Sequence, residues 1–232
     1  MKKLLLSLAF VFSFVLHVDA QYKIGDIYDK DGIKGVVVKV DEKGEHGLVM
    51  SLTGCGDRWC KNDVKTAVGA TDENDGAANM AAVKKYITTK KLSWDMFPLF
   101  NWAKELGEGW YIPAKNELKT IAENINGGSL DKYNQKNFKA FDKILKKNDG
   151  KGMIANGMAK SNDFLTMYSS TESMQNTVVT LEFSESAGSS IAQLGLGKFA
   201  PRKGSLKFTD GLKKMTGGKT LGNQYSRAVH KF

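Results

Sequence analysis

Gly109-Trp110-Tyr111-Ile112-Pro113-Ala114-Lys115-Asn116-Glu117-Leu118 carries the chain from an extended run into a helix. Trp110, Tyr111 and Ile112 are bulky, β-prone residues and read as core anchors on a short extended segment. Pro113 has its φ preset for a first helical turn and is expected to open the helix. Behind it, Leu118, Ile121, Ala122 and Ile125 recur at i, i+3, i+4 and i+7, which makes one apolar face. Glu117 falls in the first turn, where the helix dipole favours a carboxylate. Gly127-Gly128 end the pattern.

On the N-terminal side of this junction, residues 22–28 alternate apolar and polar as a half-buried strand does. Val36–Val40 and Leu48–Leu52 are two further β-rich runs, and the polar stretch from Asp41 to Glu45 reads as the hairpin turn between them. Gly54 to Asn62 is a loop around Trp59. From Gly76 the period becomes helical, with Met80, Val83 and Ile87 on one face and Lys84 and Lys85 turned away from it. Phe97 to Leu106 is a second helix carrying Phe100, Trp102 and Leu106, stopped by Gly107–Gly109.

On the C-terminal side, residues 135–148 form a helix with Phe138, Phe141 and Ile144/Leu145 inward and Lys136, Lys139, Lys143, Lys146 and Lys147 outward. A lysine face of this kind is usually a solvated surface. Met167–Ser169, Thr177–Phe183, Ile191–Leu196 and Tyr225–Lys231 are short β-prone runs. Strands, then helices, then strands indicate an α+β domain.

The chain has 232 residues, 34 Lys and Arg against 25 Asp and Glu, and a net charge of +9. Charge and hydrophobicity near globular averages exclude a disordered or collagen-like chain. Residues 1–20 join Lys2-Lys3 to an apolar run and end in Val18-Asp19-Ala20, the pattern of a secretory signal peptide. The run is shorter than the roughly 18–20 residues of a membrane span. The expected mature part, residues 21–232, is a single domain with 32 basic and 24 acidic residues, or +8. Export to the periplasm, the cell surface or the medium is the expected localisation, with no transmembrane segment after cleavage.

Chemical motifs are sparse. The chain contains neither a Gly-rich phosphate loop of common spacing nor an HExxH helix. His46 and His230 are the histidines beyond the leader, and nothing in the sequence marks either as a hydrolase base. Cys55 and Cys60 are spaced too widely for a C-x-x-C redox pair; the expectation is a disulfide closing a short loop, worth about 1–3 kcal/mol. Asp72-Glu73-Asn74-Asp75-Gly76 suggests calcium, but its glycine falls one position early for an EF-hand, and Asx turns into the next helix account for the same residues. No metal, cofactor or catalytic residue is assigned.

Several of these stretches resemble one bacterial family. They are residues 35–41 and 46–52 before Trp59, residues 75–79, the Trp-Tyr-Ile-Pro-Ala-Lys-Asn-Glu-Leu element, residues 168–172 and residues 226–232. The chain is similar to the domain shared by the Fibrobacter paralogous family and the C-terminal domain of the Legionella collagen-like adhesin. That resemblance implies a C-type-lectin-like fold, related to formylglycine-generating enzymes, with helices in the first half, a strand-rich second half and paired chain ends; 22–28 and 225–231 suit the pairing. The family usually has Ser or Thr where this chain has Ala114, so a capping hydroxyl worth ~1 kcal/mol is expected to be missing. The paired catalytic cysteines of the enzymes and the calcium-sugar motifs of animal lectins are absent from the sequence.

These features together suggest a non-catalytic binding protein, an adhesin for acidic, glycosaminoglycan-like glycans or a host or surface protein. Nucleic acid is not an expected partner. Candidate ligand-binding cations are Lys84, Lys85, Lys143, Lys146, Lys147, Arg202, Lys203, Lys213 and Lys214, with Lys90/Lys91 a further basic pair. The alternatives are a structural subunit of a surface assembly, or an extracytoplasmic enzyme if Glu172 or Asp163 lies strongly perturbed in a cleft.

Overall fold

A computed structural model describes residues 21–131, 133–148, 150, 152, 163–175, 177–187, 202–212, 223–224 and 226–232. The expected leader, the strand-like run 191–196 and Lys213 and Lys214 lie outside these residues.

The first sheet contains β1 (Ile27–Lys30), β2 (Ile33–Val40), β3 (Gly47–Ser51) and the C-terminal β8 (Val229–Lys231), in the order β1-β2-β3-β8 and antiparallel throughout. Val36-Val37-Val38 is apolar without alternation because both faces of the sheet are covered. Val36, Val38, Leu48 and Met50 enter the main core. Val37 and Val49 pack with Tyr28 on the other face, beneath Tyr22 and Phe232. The rings of Tyr22, Tyr28 and Phe232 lie 4.8–5.4 Å from one another.

Two expectations for the chain ends are corrected. The first strand begins at Ile27 and not at Tyr22, because Lys23 N donates to the Asp26 carboxylate at 2.8 Å and Gly25 turns the chain at φ +94°. The terminal segments do not pair with each other: β8 pairs with β3, at the edge opposite β1. The ends meet through the Tyr22–Phe232 ring contact and through the hairpin turn. Tyr22 N donates to Gly44 O at 2.9 Å, and Phe232 N donates to Gly47 O at 3.2 Å.

Four α-helices are described: α1 (Gly76–Lys90), α2 (Pro98–Glu105), α3 (Lys115–Asn126) and α4 (Gln135–Lys147), with a 3-10 turn at Trp94–Met96. Their apolar faces follow the periodicity. Val83 and Ile87 are buried on α1, Leu118, Ile121, Ala122 and Ile125 on α3, and Phe138, Phe141 and Leu145 on α4. On α2 the buried residues are Leu99, Phe100 and Ala103, while Trp102 and Leu106 are half-buried.

The second sheet is β4 (Asp163–Met174), β5 (Thr177–Ala187), β6 (Arg202–Leu212) and β7 (Asn223–Gln224), in the order β6-β5-β4-β7. It is antiparallel except for the short parallel pairing of β4 with β7. β6 is rich in Lys, Ser and Gly and has little strand propensity; its unbroken ladder with β5, from Thr177–Leu212 to Ala187–Arg202, holds it. One core cluster joins the sheets, bringing Val38, Met50 and Val229 together with Met167, Leu181 and the inward faces of α3 and α4. A second surrounds Trp59, whose ring lies edge-on to Phe100 at 4.8 Å and to Phe97 at 6.0 Å. The architecture is mixed α+β, and no described helix is long and apolar enough to cross a membrane.

Candidate functional site

The junction that opens α3 is tied down from three directions. Pro113 lies outside the helix: Ala114 is the N-cap, extended at ψ 168°, and helical geometry starts at Lys115. Pro113 O instead accepts from Ser170 N at 2.8 Å. The missing hydroxyl at Ala114 is replaced by distant groups, since Lys115 N donates to Thr171 Oγ1 at 3.0 Å and Asn116 N to Glu73 O at 2.8 Å. Glu117 turns back to accept from Ala114 N and Gly76 N, both at 2.9 Å, and from Tyr111 Oη at 2.8 Å. Burial first, and the Glu117 charge second, push the Tyr111 phenol well above its ordinary range.

Beside this seam lies Glu172, one of the two carboxylates that could have indicated catalysis. It is 6% exposed, and its oxygens accept from Val68 N, Gly69 N and Ala70 N at 2.7–3.2 Å. Its role is to hold the 68–70 loop. Asp163 is the first residue of β4. The Asp72–Gly76 segment forms the expected Asx turns: Asp72 Oδ1 accepts from Asn74 N at 2.7 Å and Asp75 N at 2.9 Å, which holds its carboxyl below the usual range. Asp75 Oδ1 then caps α1, accepting from Ala77 N at 2.9 Å.

On another face of α1 the chain leaves a groove of about 460 Å³, within the span of small-molecule sites. Ala77, Met80, Ala81 and Lys84 come from α1, Trp94 from the 3-10 turn, Lys104 from the last turn of α2, and Gly107 to Tyr111 from the following loop. The loop is held by the C-terminal strand. Tyr111 and Val229 exchange backbone hydrogen bonds at 2.8 and 3.0 Å, and the His230 ring sits edge-on to Trp110 at 5.5 Å. His230 Nε2 is 3.2 Å from Glu108 O, and a Cβ at Gly109 would come within 2.3 Å of that nitrogen. Lys104 Nζ lies 5.7 Å above the centre of the Trp94 ring.

Those predicted cations that lie in described elements are carried by α1, α4 and β6. Lys84 lines the groove, and Lys85 is exposed on α1. Lys143, Lys146 and Lys147 are exposed on α4, which packs on α3, and Lys146 pairs with Asp142 at 2.6 Å. Arg202 and Lys203 begin β6 opposite Ala187 and Ser186. The disulfide expected between Cys55 and Cys60 is not seen in this structure. Cys55 is bridged to Ser226 through the backbone, and Cys60 is fully buried in the Trp59 core. Burial pushes the Cys55 thiol up.

Sequence reasoning missed Trp94, Lys104 and Glu108 as groove residues. The available signal was the Gly107-Glu108-Gly109 break, both of whose glycines have positive φ, next to two tryptophan-bearing helical segments. Comparison of the chain with protein-family models, with curated proteins and with solved structures finds no match.

Proposed function

We propose that this protein is an exported, non-catalytic binding module for acidic glycans, on a C-type-lectin-like scaffold of the kind its Trp-Tyr-Ile-Pro element resembles. The observation that carries this reading is the groove, which brings the partly exposed Trp94 and the largely buried Trp110 together with Lys84 and Lys104. Flat apolar walls suit the C–H face of a sugar ring, and the cations suit carboxylate or sulfate groups. The +8 charge of residues 21–232 adds a long-range attraction for the same ligands. Glu172, whose perturbation would have favoured an enzyme, is occupied by backbone amides, which favours binding over catalysis.

The test is binding of residues 21–232 to a glycan array at low and at moderate salt, alongside retention on heparin and on a plain cation exchanger. Selective capture of sulfated or uronate-bearing glycans that weakens with salt supports the proposal. Retention on heparin no stronger than on the exchanger, with no array selectivity, refutes it.

A further inference from the structure

We infer that Lys104 is a ligand-displaced gate on Trp94, and that this gate makes the groove choose anionic rings over neutral ones; the inference rests on the reading of the groove as a sugar site. Lys104 is exposed, and its ammonium lies over the face of the half-exposed Trp94 indole at 5.7 Å. The electrostatic field of the ring holds a cation in that position. Trp94 and Lys104 both line the groove, so a sugar stacked on the indole would compete with the ammonium for the ring face.

A neutral sugar that takes the indole face displaces Lys104 and offers it no counter-charge. An acidic sugar displaces the same ammonium and then pairs with it through carboxylate or sulfate. Lys84 lines the same groove from α1 and adds a second positive charge. Glu108 stands in the loop beside Trp110 and opposes an anion there, so the acidic group belongs toward Lys84 and Lys104. A fixed cation beside a sugar platform would raise affinity for acids and leave neutral sugars unaffected. A gate predicts that removing the lysine weakens acids and strengthens neutral sugars, and that crossing is its signature.

The experiment follows the Trp94 indole N–H resonance by NMR, assigned through its loss in Trp94→Phe, while residues 21–232 are titrated with a sulfated heparin disaccharide and with cellobiose. In Lys104→Met the free indole resonance should shift, heparin-disaccharide affinity should fall about fivefold or more, and cellobiose affinity should rise about twofold to fivefold, the range a cation over an exposed indole is worth. Cellobiose affinity that stays level or falls in Lys104→Met overturns the gate. If the disaccharide binds but perturbs only α4, the gate falls while the acidic-glycan reading stands. If it binds nowhere on the chain, both fall.

Discussion

Helix α1 borders two regions that use polar side chains in opposite ways. On one side, Asn79 joins a seam with Ser170, Thr171, Glu117 and Glu172. There Asn79 Nδ2 donates to Asp72 O at 2.7 Å and to Ser170 Oγ at 3.0 Å, and Thr171 Oγ1 donates to Asp72 O at 2.8 Å. On the other side, Met80, Ala81 and Lys84 face the groove with Trp94 and Lys104. Seam groups are buried or half-buried and hydrogen-bonded within the fold, so their energy goes into stability. The groove cations stay hydrated, and burial of an anion beside them is left for a ligand to bring about. Seam substitutions should therefore change stability and spare binding, and groove substitutions the reverse.

The strongest challenge to this contrast is Glu172→Gln. An amide in place of the carboxylate turns an N–H₂ toward the amides of residues 68–70, and urea unfolding should show a loss of about 3 kcal/mol. A loss below about 1 kcal/mol would mean that the loop does not depend on this group. Gly76→Ala comes next. Helix propensity alone promises a gain of about 0.5–1 kcal/mol. The new Cβ, however, would lie 2.3 Å from Ile112 O and 2.8 Å from Ala114 N, both backbone atoms. A net loss of about 2 kcal/mol is expected, and a gain would show that the α1–α3 contact is loose.

Tyr111→Phe removes the hydrogen bond to Glu117 and should cost about 1.5 kcal/mol at neutral pH. Its pH dependence has a definite sign. The Tyr111 phenol is raised in the folded chain, whereas the unfolded chain releases that proton near pH 10. Stability therefore falls as pH rises past about 10, and Tyr111→Phe should flatten that decline. Asp72 gives the opposite sign. Its carboxyl is held low by Asn74 N–H and Asp75 N–H, so its contribution is present above the unfolded value of about 3.9 and is lost as pH falls through the folded one. Asp72→Asn should flatten the acid limb of the stability profile. The smallest effect belongs to Lys143→Met with Lys147→Met on the outer face of α4, where unfolding should move by less than about 0.5 kcal/mol and heparin-disaccharide affinity should not move.

Much of the fold was legible because periodicity is local. The α3 face of Leu118, Ile121, Ala122 and Ile125 follows from the 3.6-residue repeat and needs no knowledge of what covers it. The Asp72–Asp75 turns were legible for the same reason, since an Asx side chain meets amides two and three residues on. By contrast, β6 was invisible: Arg202–Leu212 has little strand signal of its own and is held by backbone pairing with β5. Of the groove, only Lys84 was singled out for binding, since Trp94, Lys104 and Trp110 belong to three separate segments whose spacing carries no shared signal.

By itself, the sequence determined the helix faces, the hairpin between β2 and β3, the α+β class and the basic balance, because each depends on neighbours within a few residues or on composition alone. Only the tertiary structure decided that β8 joins β3 and that Thr171 stands in for a cap absent from Ala114. It also decided that Glu172 serves a loop and that two lysines and two tryptophans share one groove. Those outcomes depend on which distant surfaces bury each other, and burial sets whether a polar group becomes part of the fold or stays available to a ligand.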